Sequence, residues 1–333
     1  MHPFEYVAAQ SVDEAVVLLS VPGDGARIIA GGSDLLDEIK AGVIAPDRLI
    51  SLSGISGLAG ISQDDDHLNI GAMTTIADLA AHPEIQRQFT CLADAAGGLA
   101  TPQIRNVGTL GGNLNQRPRC WYYRHPLTQC LKKGGDRCLA LAGSSKYLCV
   151  TGGDRCYIVH PSDTAVALLA LGGASVEIAG PSGTRVLPIE EFYVGPLADP
   201  IRETALQTGE LLTRVRLPRI ASPDSRHSLY LKAREREAGD FALVSVAAAI
   251  TQEGDSITEA RVALGGVAPR PYRARQVEEY LQGRVAATVE PAWAGALALP
   301  DARPLPDNAY KVTLAQNMVK RAINQLLGTF RRV

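Results

Sequence analysis

The sequence predicts an α+β protein in three parts, 1–56, 57–220 and 226–333. Three observations carry this. The first fifty-odd residues alternate as a β-α-β unit. The last hundred read β-β-β-α-α, the order of a small three-stranded antiparallel sheet with helices on one face. The length, 333 residues, fits two or three domains.

The elements follow in chain order. In SVDEAVVLLS, Ser11 caps a helix, Asp13 and Glu14 occupy its first turn, and Ala15, Val16, Leu18 and Leu19 form its apolar face. Pro22-Gly23-Asp24-Gly25 is a turn, Arg27 to Ala30 a short strand, Asp34 to Ala41 a helix, and Arg48 to Leu52 a strand. In the second part, His67 to Ile70 is a strand, and Thr75 to Ala81 and Glu84 to Gly97 are helices. Thr101 to Leu114 is a glycine-rich loop. After the stretch 115–158, TAVALLALGG is an apolar helix. Ser175 to Ile178 and Arg185 to Pro188 form a hairpin, and Leu211 to Leu217 alternates as a strand. Leu229 to Ala233, Leu243 to Ile250 and Ile257 to Leu264 are the three strands of the last part. Arg275 to Gln282 and Ala309 to Leu327 are its helices.

Composition excludes several classes. Hydrophobic residues make up 46% and the formal charge is −2, against a disordered chain. No polybasic face is available for nucleic acid. No apolar run approaches the ~20 residues of a membrane span. MHPFEYVAAQSVDEAVVLL lacks a basic stretch followed by an apolar one, so no signal peptide is visible and a cytoplasmic chain is expected. A partner with its own export signal would carry it to the periplasm.

Cysteine usage is the most informative count. Five of the six cysteines lie in the 37 residues from Cys120 to Cys156, and Cys91 stands alone. A secreted disulfide framework spreads its pairs through a smaller chain. The spacing C-x9-C-x7-C-x10-C-x6-C matches neither a zinc ribbon nor ferredoxin. Four thiolates on such a loop suit a 4Fe-4S cluster or a Zn²⁺ ion, with Arg119, Lys132, Lys133 and Arg137 offsetting their charge. A set of free thiols is the other reading.

Two glycine turns stand out. In RIIAGGSDLL, Gly31 and Gly32 separate a strand from a helix opened by Ser33-Asp34, so that successive backbone N–H groups form an anion nest. An ordinary strand-to-helix turn has the same residues. It is not a Rossmann fingerprint, because Ile28 stands where the third glycine belongs. GTLGGN, Gly108 to Asn113, is a second such turn, and two together suit the diphosphate of a dinucleotide such as FAD. His160-Pro161-Ser162-Asp163 leads into the apolar helix. Ser162 is its N-cap, and Asp163 can also accept from a ribose hydroxyl. No HExxH, nucleophile elbow or paired carboxylates are present. That absence fits a chain whose cofactor carries the chemistry.

RIIAGGSDLL, TPQIRNVGTLGGNL, HPSDTAVALLALG, KAREREAGDFALVSVAAAI and ALGGVAPRPYRA, in this order, resemble the FAD-binding subunit of the molybdenum hydroxylases. That family includes the medium subunit of carbon monoxide dehydrogenase and the flavin domain of xanthine dehydrogenase. NLNQRPRCWYYRHPLTQC and the later cysteines resemble a subgroup with an additional 4Fe-4S cluster. The bacterial aldehyde oxidoreductase and 4-hydroxybenzoyl-CoA reductase flavin subunits belong to it, and CWYYRH favours the former.

The resemblance implies a two-lobed, PCMH-type, non-Rossmann FAD domain followed by the small α+β domain. It places the FAD diphosphate against Ala30, Gly31, Gly32 and Ser33, with Ile28, Ile29, Asp34 and Leu35 beside them. Thr109, Gly111, Gly112 and Asn113 lie on the other side, Asp163 near the ribose, and Leu211 and Lys232 near the isoalloxazine ring. The cluster ligands it implies are Cys120, Cys130, Cys138 and Cys156. Cys149 departs from the pattern, as a spare thiol or a competing fourth ligand. The implied partners are a large molybdenum-cofactor subunit and a small 2Fe-2S subunit. Aldehyde oxidation on the large subunit would send electrons through FAD to an external acceptor. The alternatives are a flavin subunit of a 4-hydroxybenzoyl-CoA reductase or another molybdenum hydroxylase, and a nucleotide-binding module with a four-thiolate zinc staple.

Overall fold

The computed structural model describes residues 2–23, 25–220 and 223–330. Its first sheet is parallel, with β1 (Glu5–Ala8), β2 (Arg27–Ile29) and β3 (Arg48–Ser51) in the order β1-β3-β2. The helix Val12–Leu19 crosses between β1 and β2, and Ser11 accepts from the Glu14 amide as its cap. β1 was not legible as a strand. Only its pairing with β3 extends it.

The second sheet has five strands, β4 (Ile61–Gln63), β5 (His67–Gly71), β6 (Ser175–Gly180), β7 (Gly183–Pro188) and β8 (Leu211–Pro218), in the order β4-β5-β8-β6-β7. The expected hairpin is β6–β7, closing at Gly180 opposite Gly183. The expected helix Glu84 to Gly97 is two helices, Pro83–Gln88 and Thr90–Gly97. Phe89, with φ −128° and ψ 49°, breaks them apart. The stretch Thr101 to Leu114, read as a loop, holds the helices Pro102–Val107 and Leu110–Leu114. Thr101 and Thr109 cap them by accepting from Ile104 N and Gly112 N. The glycines and proline that signalled a loop are tolerated because these helices span only one turn or so.

The third sheet is antiparallel: β9 (Arg226–Ala233), β10 (Val244–Glu253), β11 (Ser256–Gly265) and the two-residue β12 (Tyr272–Arg273), in the order β12-β11-β10-β9. β12 makes it four strands where three were expected. Apolar residues of β10 and β11 alternate between two cores. Val246, Ala248, Ile250 and Val262 pack under the helices Arg275–Leu281, Pro291–Ala296 and Tyr310–Phe330. Ala247 and Ala263 face the helix Asp163–Leu171, which is buried along its whole length. That helix is therefore the spine of the molecule, and its N-terminus is held at the junction of the sheets. No helix among the described residues is long and apolar enough to cross a membrane.

Candidate cofactor site

The first glycine turn follows β2 directly. Ile28 and Ile29 pair with Ile50 and Ser51, which fixes where Ala30 leaves the sheet. Gly31 must be glycine for packing: a Cβ there would lie 1.8 Å from the Val107 carbonyl oxygen. Gly32 has φ +70°, the left-handed region that glycine favours. The two glycine turns thus meet backbone to backbone, at Gly31 and Val107–Gly108.

Their free donors differ. Among the described residues, the N–H groups of Gly31, Gly32, Ser33 and Asp34 meet no acceptor. In the second turn the amides of Leu110 to Asn113 are engaged within the protein. Leu110 N donates to Thr74 O (2.9 Å), Gly111 N to Ala72 O (2.8 Å), Gly112 N to Thr109 Oγ1 (3.1 Å) and Asn113 N to Thr109 O (2.8 Å). The Asn113 side chain accepts from Ser162 Oγ at 2.6 Å and Thr164 Oγ1 at 2.7 Å. That ties the second turn to the Asp163–Leu171 helix, whose cap is Ser162 as expected. The first turn offers donors to a ligand, whereas the second holds the surrounding backbone in place.

Asp163 accepts from Lys232 Nζ at 2.6 Å, with both side chains buried. Leu211 does not join them. It opens β8 and packs in the same apolar cluster as Ile28. Leu35 begins the helix Leu35–Lys40 that follows the first turn.

A cavity of about 390 Å³ opens beside Asp163. Aromatic residues Trp121, Tyr147 and Phe241 contribute to its wall, together with Arg119. The Arg119 guanidinium lies 4.7 Å from the Phe241 ring centre and pairs with Asp34, so one side chain connects the first turn to the cavity. Its Nε is buried without a partner, a donor available to a ligand. The sequence offered Arg119 only as a countercharge for thiolates, and Phe241 carried no signal alone.

His160 also lines the cavity and is fully buried, which pushes its imidazole down to about 3 and keeps it neutral. Its Nδ1 accepts from Ser162 N at 3.4 Å, and its ring stands edge-on to Tyr193.

The cysteine segment folds as short turns. Cys120, Cys130 and Cys138 each stand just before one, at Trp121–Arg124, Leu131–Lys133 and Leu139–Leu141. The backbone amides of Tyr122 and Tyr123 act on Cys120, although burial still pushes that thiol up to about 11. Cys120, Cys130, Cys138 and Cys156 line one small cavity, together with Lys132. The Cys156 thiol donates to Cys138, holding Cys138 below the usual thiol range and Cys156 above it. Cys149 is not in that wall, and burial pushes it up to about 12. All six cysteines are unpaired thiols. No group of three or more His, Cys, Asp or Glu among the described residues is drawn together around a point as for a single ion. Four cysteine sulfurs lining one cavity are a donor set of the kind that a 4Fe-4S cluster or a Zn²⁺ ion takes.

The chain matches two family descriptions. Residues 2–220 match the FAD binding domain in molybdopterin dehydrogenase, and residues 229–326 the CO dehydrogenase flavoprotein C-terminal domain. It is 38% identical to the aldehyde oxidoreductase FAD-binding subunit PaoB of Escherichia coli strain K12, over 99% of both chains. It is 32% identical to the carbon monoxide dehydrogenase medium chain of Hydrogenophaga pseudoflava, over 96% of each. Among solved structures, carbon monoxide dehydrogenase from H. pseudoflava superposes with TM-score 0.77 at 29% identity, over 97% of each chain. Quinoline 2-oxidoreductase from Pseudomonas putida 86 gives 0.76 at 27%, over 99% of each. With nest, cavity and matched domains in one chain, the protein belongs to the FAD-binding subunits of the molybdenum hydroxylases, an oxidoreductase family.

Proposed function

We propose that this chain is the FAD- and 4Fe-4S-binding electron-transfer subunit of a molybdenum-containing aldehyde oxidoreductase. The observation that carries it is the shared cavity of Cys120, Cys130, Cys138 and Cys156, in a chain 38% identical along its length to an aldehyde oxidoreductase flavin subunit. The partners in this reading are a large molybdenum-cofactor subunit, a small 2Fe-2S subunit and an external electron acceptor.

The chain's own residues bind and orient. The open amides of Gly31 to Asp34 take the diphosphate. Arg119 Nε supplies one more donor at the edge of the aromatic cavity. Asp163, held by Lys232, presents an acceptor for a ribose hydroxyl. Thr109, Gly111, Gly112 and Asn113 keep the opposite wall rigid. Bound FAD supplies a carrier that accepts an electron pair and can release single electrons. The four cysteines supply the thiolates a cluster needs.

Metal and flavin analysis of the purified chain tests the reading. About four iron and four sulfide per chain with bound FAD support it. Zinc in place of iron, without flavin, overturns it. Turnover of aromatic CoA thioesters but not aldehydes by the whole complex overturns the substrate assignment.

A further inference from the structure

We propose that Asp34 is a positioning residue through which the cysteine site and the flavin nest stabilise one another. This rests on the reading above and deepens it. Asp34 stands at the start of the helix Leu35–Lys40, where an aspartate ordinarily caps its own helix by accepting from its first amides. Here it makes no such bond. Its carboxylate is turned instead to a segment more than eighty residues away. Oδ2 accepts the backbone N–H of Arg117 at 2.7 Å, and Oδ1 accepts Arg119 Nη1 and Arg124 Nη2, the latter at 2.7 Å.

The last residue of the nest is thereby pinned to the cysteine segment. The segment carrying Cys120 is gripped on both sides, at Arg119 and Arg124. The grip extends further. Glu38, one turn on, accepts the Tyr123 hydroxyl at 2.5 Å, and Tyr123 accepts Arg117 Nε at 3.0 Å. Glu203 pairs with Arg117 at 2.8 Å and with Lys132, two residues after Cys130. Two of the four cysteines therefore lie within a network whose other end is the nest helix.

A cluster that fixes residues 117–132 fixes Asp34, and with it the nest. Linkage makes the effect mutual: bound FAD favours the cluster by the factor that the cluster favours FAD.

The test uses the full chain with its cluster and flavin. The flavin is stripped, and FAD affinity is measured with the cluster intact and after oxidation and chelation remove it. Cluster removal is expected to weaken FAD binding at least about fivefold. Asp34→Ala is expected to weaken it with the cluster intact, and to leave less than about a twofold further effect of cluster removal. Asp34→Glu, which keeps the carboxylate, is expected to restore part of the coupling. FAD affinity that does not change when the cluster is removed overturns the proposal, as does an equal loss in wild type and Asp34→Ala. Where Asp34→Ala does not fold, the wild-type pair of titrations decides alone. A chain with FAD but no iron overturns the cluster reading and this coupling with it, whereas iron with unchanged FAD affinity overturns the coupling only.

Discussion

The Asp163 carboxylate accepts a hydrogen bond from the Lys232 ammonium at 2.6 Å, with side-chain exposures of only 5% and 7%. The pair bridges the start of the central helix and β9, and so joins the FAD domain to the C-terminal sheet. Lys232→Met leaves a buried carboxylate without its partner, which costs about 3–5 kcal/mol. Urea unfolding of the variant should show that loss, and Asp163→Leu in the same chain should recover part of it. An unchanged midpoint for Lys232→Met would show that the pair carries no stability.

Cysteine substitution separates ligands from bystanders. Cys156→Ser should abolish cluster iron and its visible absorbance, because Cys156 lines the shared cavity. Cys149→Ser should keep both, since that thiol is outside the wall and packs under Gly153 instead. The reverse pattern in iron and sulfide content exchanges the two assignments.

The two glycine turns should respond unequally to alanine. At Gly31 the new methyl meets the Val107 carbonyl at 1.8 Å, backbone against backbone, and the turns must separate. A loss of about 2–3 kcal/mol and of bound flavin is expected. At Gly112 the nearest atom is Thr109 Oγ1 at 3.0 Å and the residue is exposed, so the loss should stay below about 1 kcal/mol. Thermal unfolding and flavin content of the two variants check the order.

Buried His160 sets an acid limit. Its pKa falls from an ordinary 6.5 to about 3 on folding. Between those values the unfolded chain holds a proton that the folded chain lacks, so stability falls as pH falls through that window. From pH 7 to pH 5 the loss from this residue is about 2 kcal/mol. His160→Gln should flatten the pH dependence of unfolding by that amount, and an unaltered slope would assign the acid sensitivity elsewhere.

The parts of the fold legible in the sequence are those set by local chemistry. Ser11 and Ser162 cap the helices that follow them. Residues 180–183 close a hairpin, and the apolar runs at 243–250 and 257–264 are strands, lying between two cores. The misread parts depend on distant partners. Leu110 N reaches Thr74 O and Ile76 N reaches Gly108 O, so a glycine-rich stretch is held in helical turns by a neighbour thirty residues away. Phe89 breaks a helical pattern that composition alone would continue. In the site, the glycines and cysteines were visible because few other residues do their work. The roles of Asp34 and Arg119 were not, since both depend on contacts between segments about eighty residues apart.

The backbone around Cys149 is held by the far end of the chain's C-terminal domain. Lys311, fully buried, donates to the carbonyls of Tyr147, Leu148 and Gly266, and Asn308 donates to those of Leu148 and Cys149. These donors lie some 160 residues downstream, near the start of the final helix. Contacts of such long sequence separation form late in folding, so the backbone around Cys149 is covered only when this helix docks.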